Sequence, residues 1–566
     1  MSEVKETKAQ KVERLKRSKN AWDHFDEIQS FAQGGHSTIP AEWLGTYFRT
    51  WGIYTQGDGL GVTGGKGGEG NATPYFMVRI RIPNGLLTSE QARTIAAISE
   101  QYGKGVADIT VRQNVQLHWV AIENLPDLLE RLWKVGLTTT GACGDVARNV
   151  TGCPLAGLDA EELIDAAPLA LAINKALGGN SEFYNLPRKF KISITGCKDW
   201  CSYPEINDVG FTATRRTRNG QSEIGFTLRV AGGLSTQPHL AVALNAFIKP
   251  DQVVAVAKGV AEIFRASEVL RVSRDKARLK YLFLEHGWTA DSFLAELQQV
   301  VGFSLDPGEG EFAPADIHRD HVGIHAQKQS GLSYVGASVL RGRLTPNQLR
   351  TAAALSDKYA DGHLRATVMQ NLVIVNIPNE HRDKVAAELT AAGLPVEASA
   401  FARGTVACTG SEFCKLALTE TKGFARWLSE ELDNRLPGFE QQLKLHITGC
   451  PNSCGQHWIA DIGIEGKKIK QNGKMVDAYY FCIGGSVGQF AAIARPVGYR
   501  CAATEVPDAI ERLLKNFNQE KKSDENLRQF FQRHTNDDLR NVLAGTVASA
   551  VERDVAAGPV PKGIEN

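Results

Sequence analysis

HITGCPNSCGQHWIADIG, residues 446–463, has an earlier counterpart in SITGCKDWCSYPEINDVG, residues 193–210. Each copy reads Ile-Thr-Gly-Cys, three residues, a second Cys, then Asp-Ile-Gly or Asp-Val-Gly. Cys197 answers Cys450, Cys201 answers Cys454 and Asp208 answers Asp461, all at an offset of 253. A longer match precedes each copy: LLTSEQARTIAAISEQYGKGVADITVRQN (86–114) and RLTPNQLRTAAALSDKYADGHLRATVMQN (343–371), at an offset of 257. Thr88/Thr345, Gln91/Gln348, Arg93/Arg350, Tyr102/Tyr359 and Gln113-Asn114/Gln370-Asn371 agree. Self-similarity on this scale indicates an internal duplication.

The flanks of the longer match give its fold. Alternating apolar runs (YFMVRIRI, LSYVGASVL) precede it, and further alternating runs (VQLHWVAI, LVIVNI) follow, each leading into a helical pattern that ends in Gly-Leu. That is a strand–helix–strand–helix unit used twice. The predicted fold class is α+β, with two ferredoxin-like repeat units and two mixed α/β catalytic halves in pseudo-two-fold symmetry. The expected divisions are an N-terminal arm and Gly-rich loop (1–70), a first repeat unit (71–135) and a first catalytic half (136–302). A Pro-, Gly- and charge-rich linker (303–321) leads to a second repeat unit (322–397), a second catalytic half (398–520) and a C-terminal helical tail (521–566).

Composition narrows the class. A chain of 566 residues exceeds what one hydrophobic core organises. The net charge of +1 argues against a surface built for nucleic acid. The first twenty residues have no apolar core and no run of apolar residues is long enough to span a membrane, so a cytoplasmic protein is expected. Ten cysteines in that setting suit metal binding or redox chemistry better than disulfides. Seven Lys/Arg against three acidic residues in the first twenty read as a solvated helix face, with a docking arm as the minor reading. GLGVTG (59–64) fits G-x-G-x-x-G, but no helix follows to receive a pyrophosphate, so the tract reads as a loop across the site entrance.

The chemistry concentrates in the second half. ACTGSEFC gives Cys408-x5-Cys414, and CPNSC gives Cys450-x3-Cys454. Four thiols in two close pairs could hold zinc or an iron–sulfur cluster, and the five-residue gap fits structural zinc poorly. Turn N–H groups around both pairs could bond cluster sulfurs, and a helix-like run after Cys414 would turn its positive end toward an anionic cluster. The first half reads Cys143-x5-Asn149 and Cys197-x3-Cys201. One ligand is missing, and Cys153 lies at the wrong spacing to replace it, so this copy reads as a relic that holds no cluster and is not expected to be a metal site.

Cations stand in its place. Arg148 replaces Phe413, Arg112 replaces Met369, and LPRKFK supplies Arg188, Lys189 and Lys191 where the second half keeps Lys444 alone. Surface cations are usually solvated, but here they replace apolar partners of duplicated positions. Arg112, Arg148, Lys189 and Lys191 could therefore receive an anion and protonate an oxygen leaving as water.

ACTGSEFC with HITGCPNSC resembles the cluster signature of the ferredoxin-dependent assimilatory sulfite and nitrite reductases. VRQNVQLHW, GDVARNVTGCPLAG and NLPRKFK resemble that family's substrate-pocket segments in the same order, and the resemblance covers roughly residues 45–520. It implies a [4Fe–4S] cluster on Cys408, Cys414, Cys450 and Cys454. The Cys454 thiolate would also be the axial ligand of a sirohaem iron, with Asn452 touching the macrocycle. The four cations would surround the substrate oxyanion and the carboxylate-rich edge of the sirohaem. The implied reaction is the six-electron reduction of sulfite to sulfide, or of nitrite to ammonia, by a monomer taking electrons from an acidic ferredoxin. Lys191 resembles the sulfite-reducing members, whereas CPNSCGQ and LTSEQ resemble the nitrite branch; sulfite is the preferred reading. Tyr54 and Cys143 match positions that are crosslinked in some sulfite-reducing relatives. A non-catalytic iron–sulfur carrier or sensor would need no anion pocket, and a zinc-stabilised interaction protein would be colourless.

Overall fold

The computed structural model describes residues 6–62, 69–218, 220–308 and 319–546. It contains four five-stranded sheets. In the first, strands Ile53–Gly57, Ala72–Ile80, Val115–Ala121 and Ala107–Ile109 are joined at the edge by Arg343–Leu344 from the second repeat unit. In its counterpart, Gly323–Ala326, Leu332–Ala337, Leu372–Pro378 and His363–Ala366 receive Leu86–Thr88 from the first unit. The two repeat units thus exchange edge strands. They also share one hydrophobic core, in which Ile95, Leu117 and Leu128 lie with Leu349, Leu364 and Ile374.

The repeated residues explain the interlock. Thr88 and Thr345 close capping boxes with Gln91 and Gln348 at the starts of helices Ser89–Tyr102 and Pro346–Tyr359. These helices pack on each other through the reciprocal ion pairs Arg93–Asp357 and Arg350–Glu100. Gln113 donates to Ala366 O across the junction at 2.9 Å, and Gln370 donates to Ile109 O at 2.9 Å. The same side chains reach the catalytic halves: Gly152 N donates to Gln113 and Ala407 N to Gln370, each at 3.0 Å. The Gln-Asn pair is therefore a fourfold junction rather than a ligand site.

The remaining two sheets repeat one topology. Ala147–Gly152, Phe190–Thr195 and Val209–Arg218 run parallel, followed by antiparallel Gln221–Val230 and Val242–Ile248. Thr405–Ala407, Leu445–Thr448, Ile462–Gln471, Lys474–Ile483 and Arg495–Ala502 repeat that order. The duplicated aspartates clamp corresponding strands, since Lys191 N donates to Asp208 and Lys444 N to Asp461, at 2.8 and 2.7 Å.

The two ends and the join pack against the body of the chain. The N-terminal helix Lys8–Ser18 is not simply solvated: Lys16 and Glu13 are buried against Asp145 and Arg271, while Arg14 and Arg17 stay exposed. The tail helix Leu527–Arg533 packs into the core of the second catalytic half through Leu527, Phe530 and Phe531. Of the linker, residues 309–318 lie outside the described residues, and both flanks are docked. Asp306 pairs with Arg216, and Asp320 pairs with Arg403. Among the described residues no helix is long and apolar enough to cross a membrane.

Candidate active site

The strand Thr405–Ala407 ends directly at Cys408, and Leu445–Thr448 ends two residues before Cys450. Adjacent parallel strands therefore deliver both cysteine pairs to one end of one sheet. The four thiols feel one another: burial pushes Cys408, Cys414 and Cys450 up, Cys414 to about 12, and the Cys454 thiol adds repulsion to each. Backbone N–H groups oppose that cost. Gly449 N lies 3.2 Å from Cys408 Sγ, and the Leu416, Ala417 and Asn452 amides serve Cys414 and Cys450. Such donors favour thiolate and cluster sulfur alike. The helix expected right after Cys414 begins later, at Lys422–Arg435. Its N-cap residue Thr421 still reaches Cys408, donating to its carbonyl at 2.6 Å, so the helix N-terminus does adjoin the thiols.

The cysteine loop rests on the first repeat unit. Residues of a strand alternate faces, and Gln116 and His118 of VQLHW share one. Gln116 donates to Thr409 Oγ1 at 3.2 Å, and the His118 ring stacks on Phe413 at 4.2 Å. Asp108 holds His118 at 3.0 Å and Arg343 at 2.8 Å beneath this contact. From the other side, Gly57 N donates to Phe413 O and Gly70 N to Lys415 O, at 2.9 and 2.7 Å. The flanks of the Gly-rich tract thus border Cys414, while residues 63–68 lie outside the described residues.

The first half brings its four cations together. Arg112 donates to Asn207 Oδ1 at 2.7 Å and to Ile192 O at 3.2 Å, with its Nε buried and unpartnered. Arg148 is bound to Gly144 O at 2.7 and 2.9 Å and to Ala142 O at 3.3 Å, so its donors serve the loop beside Cys143. Lys189 and Lys191 have no hydrogen-bond or ion-pair partner for their ammonium groups among the described residues. Burial, then Arg278 and Arg188, push Lys189 down to about 7, while the Cys454 thiol of the second half pulls it up. Burial followed by Lys189, Arg112 and Arg278 holds Lys191 well below the ordinary lysine range. The nearby carboxylate, Asp208, is already bonded at both oxygens by Arg278, at 3.1 and 2.8 Å. A site with this surplus of wholly or partly buried positive charge is suited to an anion.

Arg278 is the member of this group that sequence reading missed. It lies in SRDKARLK, outside the duplicated segments, so no mismatch between copies marks it. Asn452 points its amide at Cys450 Sγ, 3.5 Å away. Tyr54 sits under Arg49 at 5.7 Å, and Cys143 Sγ accepts from Arg79 at 2.9 Å.

Comparisons with known proteins agree with this geometry. The nitrite and sulphite reductase 4Fe-4S domain matches residues 143–305 and 398–549, and the nitrite/sulfite reductase ferredoxin-like half domain matches 69–135 and 325–392. The chain is 37% identical to the ferredoxin–nitrite reductase of Synechococcus elongatus, over 90% of this chain and 96% of that one. It is 36% identical to the ferredoxin sulfite reductase of Mycobacterium tuberculosis, over 93% and 95%. The solved structure of the Mycobacterium tuberculosis NirA protein superposes with a TM-score of 0.89 at 35% identity, covering 95% of this chain and 98% of that one. Duplicated half domains, a four-thiol end of one sheet and a cationic end of its twin coincide with these matches: the chain belongs to the nitrite and sulfite reductase family of oxidoreductases.

Proposed function

We propose that the chain reduces sulfite to sulfide, with Cys408, Cys414, Cys450 and Cys454 holding a [4Fe–4S] cluster and Cys454 also facing the sirohaem iron. The family implies both cofactors, and the residues fit them. Four thiols converge with backbone donors aimed at their sulfurs, yet they do not close within 4.8 Å as a single-ion site does, among the described residues. When bound, the paired cofactors would relay electrons singly from the external donor to the anion, six for each anion reduced.

The chain's own residues then bind, orient and protonate. Lys189 and Lys191 receive the anion, since their ammonium groups have no other partner. Arg112 turns toward it from a scaffold of Asn207 and backbone carbonyls. Arg148 holds the wall of the pocket through Gly144 and Ala142. A lysine near neutral pKa can give up a proton to a departing oxygen and recover it from solvent. Arg278 keeps Asp208 occupied, so that carboxylate does not quench the lysines.

The observation that carries this reading is the pair of partnerless lysines at the start of strand Phe190–Thr195, with Lys189 within electrostatic reach of Cys454. A second lysine favours the doubly charged, bulkier anion. The same pocket reducing nitrite to ammonia is the second reading, favoured by the nitrite reductase names of the Synechococcus and Haloferax mediterranei relatives. We further propose that the enzyme works as a cytoplasmic monomer and takes its electrons from a ferredoxin, as the names of its relatives suggest. Steady-state turnover of both anions with reduced ferredoxin, in wild type and Lys191→Asn, tests the assignment. The substitution is expected to lower sulfite turnover relative to nitrite; an unmoved ratio removes Lys191 as the discriminator.

A further inference from the structure

The first copy of the motif gathers side chains of metal-ligand type. Its two cysteines meet residues that no spacing rule connects to them. Cys153 Sγ, Cys201 Sγ and a ring nitrogen of His321 lie within 4.8 Å of one another. Cys197 Sγ stands outside that group of three, beyond 4.8 Å of the His321 nitrogen, but it is 3.6 Å from Cys201 Sγ, and the Cys153 thiol contacts both, so a small turn of the Cys197 side chain completes a four-donor set. A tetrahedral zinc with Zn–S bonds of about 2.3 Å sets its thiolates about 3.8 Å apart. All four side chains are buried, with exposures of 1% for Cys153, 2% for Cys197 and His321, and 3% for Cys201.

His321 supplies the independent observation. Both of its ring nitrogens are buried without a hydrogen-bond partner. A buried imidazole with neither nitrogen satisfied forfeits hydrogen bonds that water would give it. The backbone also shows that the ring is held there. Asp320 is gripped by Arg403 through both oxygens, at 2.8 and 3.0 Å, and accepts from Val322 N at 2.9 Å. His321 has a left-handed φ of 63°. Its carbonyl lies so close to Gly336 that a Cβ there would meet it at 1.7 Å. The neighbouring strand is open at that one residue and lets the His321 backbone in.

We infer that Cys153, Cys197, Cys201 and His321 form a structural zinc site that pins the start of the second repeat unit to the first catalytic half. Three thiolates and one imidazole are a closed set of ligands for structural zinc and leave no position for substrate. Such a site carries one net negative charge. Arg319 lies within electrostatic reach of Cys153, paired with Asp159 and 3.5 Å from Asp199, with its guanidinium 3.2 Å from Tyr334 Oη. The site bridges residues more than a hundred positions apart, so it restrains the chain where residues 309–318 join the two halves. Zinc displaces one proton from each thiol that it takes, and no oxidation or reduction is involved.

The test uses the purified holoenzyme, assayed for zinc and iron together with its sirohaem absorbance. Roughly one zinc per chain is expected, over and above the iron of the cluster and sirohaem. His321→Asn and Cys153→Ser should lose it, while His321→Cys, which restores four donors, should retain it. Cys450→Ser should keep the zinc although it removes a cluster ligand. Protein grown with cobalt(II) should show thiolate-to-cobalt charge transfer that disappears in His321→Asn. Wild-type metal content and mass mapping of free thiols decide the matter even where a variant does not fold. Absence of zinc from thiol-intact protein, a Cys197–Cys201 disulfide, or zinc unaffected by the His321 and Cys153 substitutions would overturn the inference.

Discussion

Replacing Gln370 with leucine isolates what holds Cys408 in place. The Gln370 side chain donates to Ile109 O at 2.9 Å and Ala407 O at 3.2 Å, and accepts from Ala407 N at 3.0 Å. Its φ of 64° is left-handed, and leucine inherits that cost unchanged. Size and conformation are thus nearly matched, and the loss is of hydrogen bonds to buried backbone groups. An unsatisfied neutral group costs about 1–2 kcal/mol in the lower part of the usual range, so about 3–6 kcal/mol is expected for the three groups together. Unfolding of a chain this large is not a single transition, so local opening is the better readout. Amide exchange measured by mass spectrometry over residues 405–408 should accelerate by roughly two to four decades, at about 1.4 kcal/mol per decade. Gln113→Leu should act instead at Gly152, its mirror partner. Unchanged exchange over 405–408 in Gln370→Leu would refute the view that the repeated Gln-Asn pair is a structural junction.

Other consequences follow from the same contacts. Burial opposes the charge of Asp145, but Arg274, Lys16 and Arg188 outweigh it and hold the carboxyl well below the ordinary range. A depressed carboxyl stabilises the fold above its unfolded pKa of about 3.9 and loses that contribution as pH falls toward its native value. Asp145→Asn should flatten this acid limb and cost about 3–5 kcal/mol at neutral pH, because Arg274, Arg188 and Lys16 lose a shared buried carboxylate and only Glu13 remains beside them; an unchanged acid midpoint in urea titrations speaks against it. Gly85 has φ 71°, and a Cβ there would meet Ala366 O at 2.1 Å where the repeat units exchange strands. Gly85→Ala should therefore destabilise by roughly 2–4 kcal/mol, and a melting temperature equal to wild type would contradict the close approach. Lys189→Met should weaken nitrite and sulfite binding roughly 10- to 100-fold, as loss of a charged hydrogen bond does. Iron content should stay unchanged; equal affinity, read from the sirohaem absorbance change, removes Lys189 from the anion site.

Much of this was legible in the chain. The constant offsets exposed the duplication, and the strand–helix–strand–helix pattern matches helices Ser89–Tyr102 and Pro346–Tyr359 in the structure. The four thiols and the four cations could be picked out because two copies of one scaffold had diverged at matching positions. A duplicated sequence carries its own comparison, and local patterns report backbone geometry over a few residues.

What the tertiary structure alone decided are the contacts between distant segments. The exchange of Leu86–Thr88 and Arg343–Leu344 between sheets has no local signature, because an edge strand reads the same whichever sheet receives it. Arg278 joins the cluster of cations from outside the repeats, and Lys16 is buried with Asp145 across from it. Cys153 was set aside on its spacing from Cys143, yet it meets Cys201 and His321 in space. Ligand spacing along a chain constrains a site only when one turn supplies the ligands. Here three segments supply them, and the packing of the halves brings those segments together.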